Sequence, residues 1–302
     1  MKDGWGTLRA WLQASRLPSQ SYLALPLLLG QFVAVHLRGG ALDVGTLVAV
    51  QLFGVLDQLF IVYANDWADQ ETDRRNQTAT LFSGGSRVLV EGRLPPRALG
   101  LGAVVCAFLL LALSVGLAVL RGAPLLVPLA VAALGLLWAY SYPPFRLSYR
   151  GGGELLQMVG VAGVLPLYGY VAQGGDPGRF PWALVALLLP THLACSIATA
   201  LPDEPSDRES GKLTLPARVG VERAARVIVL LNGLTVALAP WGLGVLGLSV
   251  GLEWLVPAGA SLVVLLVRPS PPGSRRVQVR VAAAITATLA TVALPLLALV
   301  RT

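Results

Sequence analysis

The stretch ALGLGAVVCAFLLLALSVGLAVL, from Ala98 to Leu120, runs for 23 residues without a charged side chain. A helix rises about 1.5 Å per residue, so this stretch is long enough to cross a hydrocarbon core of about 30 Å. Similar apolar stretches recur along the 302 residues, of which 55% are hydrophobic and only 13% are charged. The sequence therefore predicts an all-α, polytopic membrane protein. It excludes a soluble enzyme, a disordered chain and a protein with a single membrane anchor.

Nine membrane spans are predicted, and we expect them to form a single transmembrane domain over residues 1–302. Each predicted span is an apolar stretch bounded by short charged or glycine-rich loops. The spans are Tyr22–Leu37, Leu42–Ala64, Ala98–Leu120, Ala123–Tyr140, Leu155–Ala172, Trp182–Leu201, Val227–Leu243, Leu248–Val267 and Val281–Val300.

The segment 1–19 carries Lys2, Arg9 and Arg16 among tryptophans and leucines, which predicts an amphipathic helix at the membrane interface rather than a signal peptide. With the N-terminus in the cytoplasm, nine spans place 19 of the 23 lysines and arginines on the cytoplasmic side. The net charge of +7 is therefore explained by orientation in the cytoplasmic membrane. We expect contact with membrane lipid and no nucleic acid partner.

The two longest loops on this inner side, residues 65–97 and 202–226, contain most of the acidic residues. In the first loop, Asn65, Asp69 and Asp73 are spaced four residues apart, which places them on one face of a helix with Asp66 beside it. Stacked carboxylates repel one another, and a divalent cation removes that repulsion. Hard oxygen ligands of this kind suit Mg²⁺, which commonly also binds substrate phosphates.

The second loop repeats the four-residue spacing in Asp203 and Asp207. Two acidic clusters that face each other across a cavity would form a site for cations and a diphosphate, and we expect the catalytic side of the protein to be cytoplasmic. Pro205 disfavours an undistorted helix through this pair unless it occupies the first turn. Acids that are merely solvated at a membrane boundary remain an alternative. The glycine-rich segment 83–87 is either a lid over the site or a plain turn.

Three ordered motifs carry a resemblance to a known family. NDxxDxxxD, from Asn65 to Asp73, resembles the first aspartate-rich motif of the UbiA superfamily of intramembrane aromatic prenyltransferases. DxxxDRxxGK, from Asp203 to Lys212, resembles the second motif, and YSYPPFRL, from Tyr140 to Leu147, resembles the segment after the fourth helix. The resemblance implies nine helices around a central cavity, Mg²⁺ as cofactor, and transfer of a polyprenyl group from an isoprenyl diphosphate to an acceptor with release of diphosphate.

The resemblance also implies roles for individual residues. The expected metal ligands are Asn65, Asp66, Asp69, Asp73, Asp203 and Asp207, and the five aspartates among them are expected to assist departure of the diphosphate. Arg146 and Lys212, with Asn65, are expected to bind the diphosphate, while Tyr140 and Tyr142 are candidates to stabilise an allylic cation. Alternatively, the tyrosines are interface residues and Arg146 contributes only to orientation.

The acceptor predicted from the resemblance is aromatic, with 1,4-dihydroxy-2-naphthoate, a menaquinone precursor, as the closest expectation. Other quinone precursors, a tetrapyrrole, a glycerol-phosphate lipid or a carotenoid are alternatives within the same enzyme class. A cation-coupled transporter or a scaffold without catalytic activity represents a different class. A transporter predicts ionisable groups near the membrane midplane, whereas these acids lie at one boundary.

Overall fold

The computed structural model describes residues 4–80 and 82–301. The first three residues of the predicted interfacial segment, including Lys2, lie outside these ranges. Within the described ranges every regular element is helical, apart from one isolated bridge between Thr80 and Ser83. The predicted all-α fold is therefore confirmed.

Fourteen helices are labelled here within the described ranges, in chain order and leaving out single 3₁₀ turns. They are α1 Gly4–Ala14, α2 Gln20–Arg38, α3 Val44–Ala68, α4 Gln70–Arg75, α5 Pro96–Arg121, α6 Leu126–Ser141, α7 Leu147–Arg150, α8 Gly153–Ala172, α9 Trp182–Ala200, α10 Glu204–Ser210, α11 Leu215–Val219, α12 Val221–Gly244, α13 Leu255–Leu266 and α14 Arg275–Arg301.

Seven helical segments of the described chain are long and apolar enough to cross a membrane, which establishes an integral, multi-pass membrane protein. The helices α6 and α13 are apolar but shorter. Each predicted span overlaps one long or apolar helix. The crossing number of nine and the cytoplasmic N-terminus stay predictions.

Four predicted boundaries differ from the structure by four residues or more, and one of them is the start of the ninth span, since α14 begins at Arg275 rather than at Val281. The eighth span was predicted from Leu248, but α13 begins at Leu255, because Gly247 has a positive φ of 68° and ends the preceding helical turn. The seventh span begins six residues earlier than predicted, at Val221. The first acidic loop starts later, since α3 continues to Ala68 and carries Asn65 and Asp66 on a helix.

The long helices pack in sequence order, and the order closes on itself because α14 packs against α2. The contacts between α2 and α8 and between α9 and α14 tie the arrangement together internally. Two glycines permit the close contact between α2 and α8. A Cβ at Gly30 would collide with the backbone of Pro166, and one at Gly169 would collide with the carbonyl of Leu27. Small residues allow this close backbone approach between membrane helices.

The N-terminal helix α1 has two chemically different faces. Ala10 and Ala14 are buried, whereas Trp5, Leu8 and Leu12 are exposed. This arrangement suits a helix whose apolar side meets lipid at the interface. The helix ends just before Arg16, which places that arginine beside the acidic end of α3.

Candidate active site

The first acidic motif keeps helical geometry across the junction of α3 and α4. The amide of Asp69 donates to the carbonyl of Asn65 at 2.9 Å, and the amide of Asp73 donates to the carbonyl of Asp69 at 2.9 Å. The i, i+4, i+8 register predicted from the sequence is therefore present in the backbone. Three polar side chains consequently follow one another along one side of the chain.

Asp69 connects the two acidic loops. Its Oδ2 accepts hydrogen bonds from Asn65 Nδ2 at 3.0 Å and from Lys212 Nζ at 2.7 Å. Its Oδ1 accepts a hydrogen bond from the Tyr149 hydroxyl at 3.3 Å. Asp69 and Lys212 are both buried, although 143 residues separate them in sequence. The first and second motifs thus meet in one site.

Asp66 is held by groups outside the predicted motif. It forms an ion pair with Arg16, and its second oxygen accepts hydrogen bonds from the amide and hydroxyl of Ser86. Asp66 is 3% exposed, so these partners compensate a carboxylate that has little water around it. Arg16 and Ser86 therefore hold the carboxylate of Asp66 in position.

The second motif is also helical. Pro205 lies in the first turn of α10, where a missing amide hydrogen is tolerated, and the amide of Asp207 donates to the carbonyl of Asp203 at 2.8 Å. Asp207 Oδ2 accepts a hydrogen bond from the Thr214 hydroxyl at 2.8 Å. The four-residue register of Asp203 and Asp207 is thus preserved despite the proline.

The segment 83–87 bridges the two motifs. The amide of Gly84 donates to Asp203 Oδ2 at 3.1 Å, while Ser86 donates to Asp66. Gly84 and Gly85 both have a positive φ, and a Cβ at Gly85 would collide with a carboxylate oxygen of Asp73. Asn76 Nδ2 adds a further link to Asp203 at 2.7 Å. This segment therefore holds the carboxylates of both loops.

The site has an excess of buried negative charge. Burial and the charges of Asp66 and Asp69 raise the pKa of Asp73 to about 7. Burial, opposed by Lys212 and assisted by Asp203, raises the pKa of Asp207 to about 7. A cation close to these carboxylates would lower their free energy in the ionised form.

Two further titratable groups complete the second motif. Burial raises the pKa of Asp203, against the hydrogen bonds from Asn76 and Gly84 that favour its ionised form. Burial acts to lower the pKa of Lys212, but attraction by Asp69 and other anionic neighbours outweighs it and the pKa is raised. Lys212 therefore stays charged in the site.

Tyr149 is a site residue that the sequence motifs do not single out. Its hydroxyl lies 2.8 Å from Thr72 Oγ1 and donates to Asp69. The guanidinium of Arg146 lies 3.6 Å from the centre of its ring, and Lys212 Nζ lies 5.4 Å from that centre. One aromatic ring thus positions both predicted diphosphate-binding cations.

The two predicted tyrosines differ in placement. The backbone carbonyl of Tyr140 accepts a hydrogen bond from the Ser148 hydroxyl at 2.8 Å, and the ring of Tyr140 packs so close to Gly153 that a Cβ there would collide with it. The hydroxyl of Tyr142 donates to the carbonyl of Ala64 at 2.6 Å, and its ring stacks on Trp138 at 5.1 Å between centroids. These contacts of Tyr142 join α3 to α6, and neither of them involves a carboxylate.

The sequence motifs miss several residues that contact the carboxylates. These are Arg16, Asn76, Gly84, Ser86 and Tyr149. Arg16 is the only one in this set that comes from before the first span. Tyr149 lies three residues after Arg146 and could have been found from that spacing.

The carboxylates do not form a closed metal-binding cage. Within residues 4–80 and 82–301 no group of three or more histidine, cysteine, aspartate or glutamate residues is arranged to hold a metal ion. Mg²⁺ commonly uses one or two carboxylates and completes its octahedron with water and substrate phosphates. An open set of acids with raised pKa values fits that mode of binding. The residues that could supply protein ligands are Asp66, Asp69, Asp73, Asp203, Asp207 and Asn65.

Solved structures share this architecture. A UbiA homolog from Archaeoglobus fulgidus bound to GPP and Mg²⁺ aligns with a TM-score of 0.69 and 17% identity, covering 97% of this chain and 100% of that one. An apo UbiA homolog from Aeropyrum pernix K1 aligns with a TM-score of 0.67 and 18% identity, covering 93% and 96%. At these identities the alignments establish the fold alone.

A digeranylgeranylglyceryl phosphate synthase also aligns, with a TM-score of 0.63 and 17% identity, covering 98% of this chain and 99% of that one. No curated protein sequence matches the chain. The model of the UbiA prenyltransferase family matches residues 23–277, a range that includes both acidic motifs and most of the helices. The chain therefore belongs to the UbiA prenyltransferase family.

Proposed function

We propose that this prenyltransferase transfers a polyprenyl group from an isoprenyl diphosphate to an acceptor inside the membrane and releases diphosphate. The observation that carries the proposal is the hydrogen bond of 2.7 Å between Lys212 and Asp69, which joins the two acidic loops in one buried site. The homolog from Archaeoglobus fulgidus was solved with GPP and Mg²⁺, and with DMAPP and Mg²⁺. Those complexes support a donor of the same chemical class for this chain.

We infer that Mg²⁺ is the cofactor and that the five motif aspartates, with Asn65, hold it. When bound, the metal supplies positive charge that stabilises the diphosphate as a leaving group. Lys212 contributes a buried ammonium, and Arg146 contributes a planar guanidinium supported by the Tyr149 ring. These two cations bind and orient the diphosphate. The aromatic face of Tyr140 shields and stabilises the allylic cation.

An aromatic quinone precursor is the proposed acceptor, with 1,4-dihydroxy-2-naphthoate as the first compound to test. A glycerol-phosphate lipid is the second candidate, because a digeranylgeranylglyceryl phosphate synthase shares the fold over nearly the whole chain. We place the reaction on the cytoplasmic face of the cell membrane, since the inner loops carry both the acids and most of the arginines.

The test is a transfer assay in detergent or lipid with geranylgeranyl diphosphate, Mg²⁺ and a panel of acceptors. The panel pairs 1,4-dihydroxy-2-naphthoate with 4-hydroxybenzoate, homogentisate and a glycerol-phosphate acceptor. Mg²⁺-dependent prenylation of the naphthoate supports the proposal. Product only with the glycerol phosphate would overturn the aromatic acceptor and leave the transferase assignment intact. Absence of both product and diphosphate release would contradict the reaction itself.

Two substitutions at Tyr149 separate the roles of its ring and its hydroxyl. Tyr149→Phe keeps the ring beneath Arg146 but removes the hydrogen bonds to Asp69 and Thr72, so we expect roughly a tenfold loss of kcat/KM. Tyr149→Leu also removes the ring, and we expect the KM for the donor to rise by roughly a further fivefold to tenfold. Steady-state kinetics with varied donor measure both effects. Equal KM values in the two variants would contradict a role for the ring in holding Arg146.

The raised pKa values of Asp73 and Asp207 predict how stability depends on pH. Both groups bind more protons in the folded protein than in the unfolded chain, so without Mg²⁺ stability should fall as the pH rises from about 4 toward about 7. Melting temperatures between about pH 5 and about pH 8, with chelator or with Mg²⁺, measure this. Stabilisation by Mg²⁺ should be largest at the alkaline end. A melting temperature in chelator that rises over this range would contradict the prediction.

A matched variant assigns this pH dependence to the two carboxyls. The double variant Asp73→Asn and Asp207→Asn should flatten the fall in melting temperature with pH and lose the stabilisation by Mg²⁺. An unchanged slope would show that other groups titrate.

A further inference from the structure

A cavity that includes none of the motif carboxylates lies between the ends of α12, α13 and α14. Its volume is about 260 Å³. The apolar part of its wall comes from the last turn of α13 and from Ala225. The charged part consists of Glu222, Arg226, Arg268 and Arg280.

Arg280 anchors the wall of this cavity. It is 2% exposed, and its two terminal nitrogens donate to the two oxygens of Glu222 at 2.7 and 3.0 Å. One of these nitrogens also donates to the carbonyl of Val267 at 2.6 Å. Its Nε is buried and has no hydrogen-bond partner in the described part of the chain. A buried donor without a partner is costly, and the bonds of Arg280 to Glu222 and Val267 hold the guanidinium in place against that cost.

Two further arginines give the cavity an excess of positive charge. Arg226 and Arg268 are both exposed, and neither guanidinium group forms an ion pair or hydrogen bond with any residue in 4–80 or 82–301. Glu222 neutralises Arg280 alone, so the cavity has two unpaired cations. A phosphate group has the opposite charge, and its oxygens can accept hydrogen bonds from these two guanidinium groups.

The surroundings of the cavity point to lipid as the source of the phosphate. α12 begins two residues after α11, which follows the second acidic motif, so the cavity lies at the same end of the protein as the carboxylates. Leu265 and Leu266, which form part of its rim, are 54% and 76% exposed in a helix of apolar composition. Acyl chains can cover these leucines while the headgroup reaches the arginines.

We propose that this cavity binds the phosphate headgroup of an acidic phospholipid, with Arg226 and Arg268 as the principal contacts and the prepositioned Arg280 beside them. Basic pockets between membrane helices near the surface are suited to acidic lipid headgroups. The site shares no wall residue with the carboxylate motifs, so the proposal stands independently of the prenyl acceptor.

The test measures retention of phosphatidylglycerol by native mass spectrometry of the purified full chain in neutral detergent, with phosphatidylcholine as the reference lipid. The double variant R226Q/R268Q changes two exposed residues and keeps Arg280 with its ion pair. We expect this variant to bind phosphatidylglycerol at least roughly tenfold more weakly than the unchanged chain does. The control is R9Q/R97Q, which removes two exposed arginines on the same predicted side of the membrane.

The control should retain phosphatidylglycerol to within about twofold of the unchanged chain, since its arginines lie outside the cavity. Equal weakening in both double variants would overturn a defined site and indicate general charge attraction. No preference for phosphatidylglycerol over phosphatidylcholine would overturn the proposal as well. Complete competition by inorganic phosphate at equal concentration would show a soluble anion site and overturn lipid as the ligand.

Discussion

Asp69→Asn is expected to lower kcat/KM for prenyl transfer by roughly 100-fold to 1,000-fold. Asparagine keeps the size of the side chain but removes the negative charge that faces Lys212 and the proposed metal. Asp69 also accepts hydrogen bonds from Asn65 and Tyr149, so its contacts with Asn65 and Lys212 link the two acidic loops. Steady-state kinetics at saturating Mg²⁺ measure the loss.

Glu71→Gln provides the matched control for this experiment. Glu71 lies two residues away in α4, is 68% exposed, and forms only a surface ion pair with Arg75 and a longer one with Arg74. Surface pairs of this kind contribute little, so activity should stay within about twofold. A similar loss in both variants, or an Asp69→Asn variant within about fivefold of the unchanged enzyme, would contradict the assigned role.

Lys212→Met is expected to raise the KM for the isoprenyl diphosphate by roughly 10-fold to 100-fold, because a buried charge-assisted contact to the donor is lost. The same change leaves Asp69 and Asp207 buried without their cation. Breaking a buried ion pair in this way should cost roughly 3 kcal/mol of stability. Donor-dependent kinetics and chelator-treated melting curves measure the two effects separately.

The control for Lys212 is Arg208→Gln in the same acidic loop. Arg208 is 62% exposed, pairs with Glu204 at 2.7 Å, and donates a hydrogen bond to the carbonyl of Ala217 at 3.2 Å. Its removal takes away one positive charge without opening the buried site, so both KM and melting temperature should stay close to those of the unchanged chain. An unchanged donor KM in Lys212→Met would show that Lys212 has only a structural role.

Much of this fold is predictable because membrane helices obey simple constraints of length and polarity. The stretch 98–120 is apolar throughout, and α5 extends only one or two residues beyond it at each end. The spacing of Asn65, Asp69 and Asp73 predicts their helical register because local backbone hydrogen bonds set it. The first turn of α10 accommodates Pro205 for the same local reason.

Contacts between segments that are distant in the sequence could not be predicted from local patterns. The ion pair of Arg16 with Asp66 depends on how α1 packs beside α3, and no local pattern encodes that placement. The bridging role of the segment 83–87 was open because the glycine pattern allows a lid or a turn equally. The motif position of Tyr142 predicts a residue of the active site. Its hydroxyl donates a hydrogen bond to the carbonyl of Ala64, a contact that the motif does not predict.

We propose that the two acidic loops form one site for an isoprenyl diphosphate and Mg²⁺. Equilibrium binding of labelled geranylgeranyl diphosphate, with and without Mg²⁺, tests it directly with one variant from each loop, Asp69→Asn and Asp203→Asn, beside the Glu71→Gln control. We expect Mg²⁺-dependent binding in the unchanged chain and in the control, and loss of that binding in both aspartate variants. Binding in Asp203→Asn as tight as in the unchanged chain would contradict it.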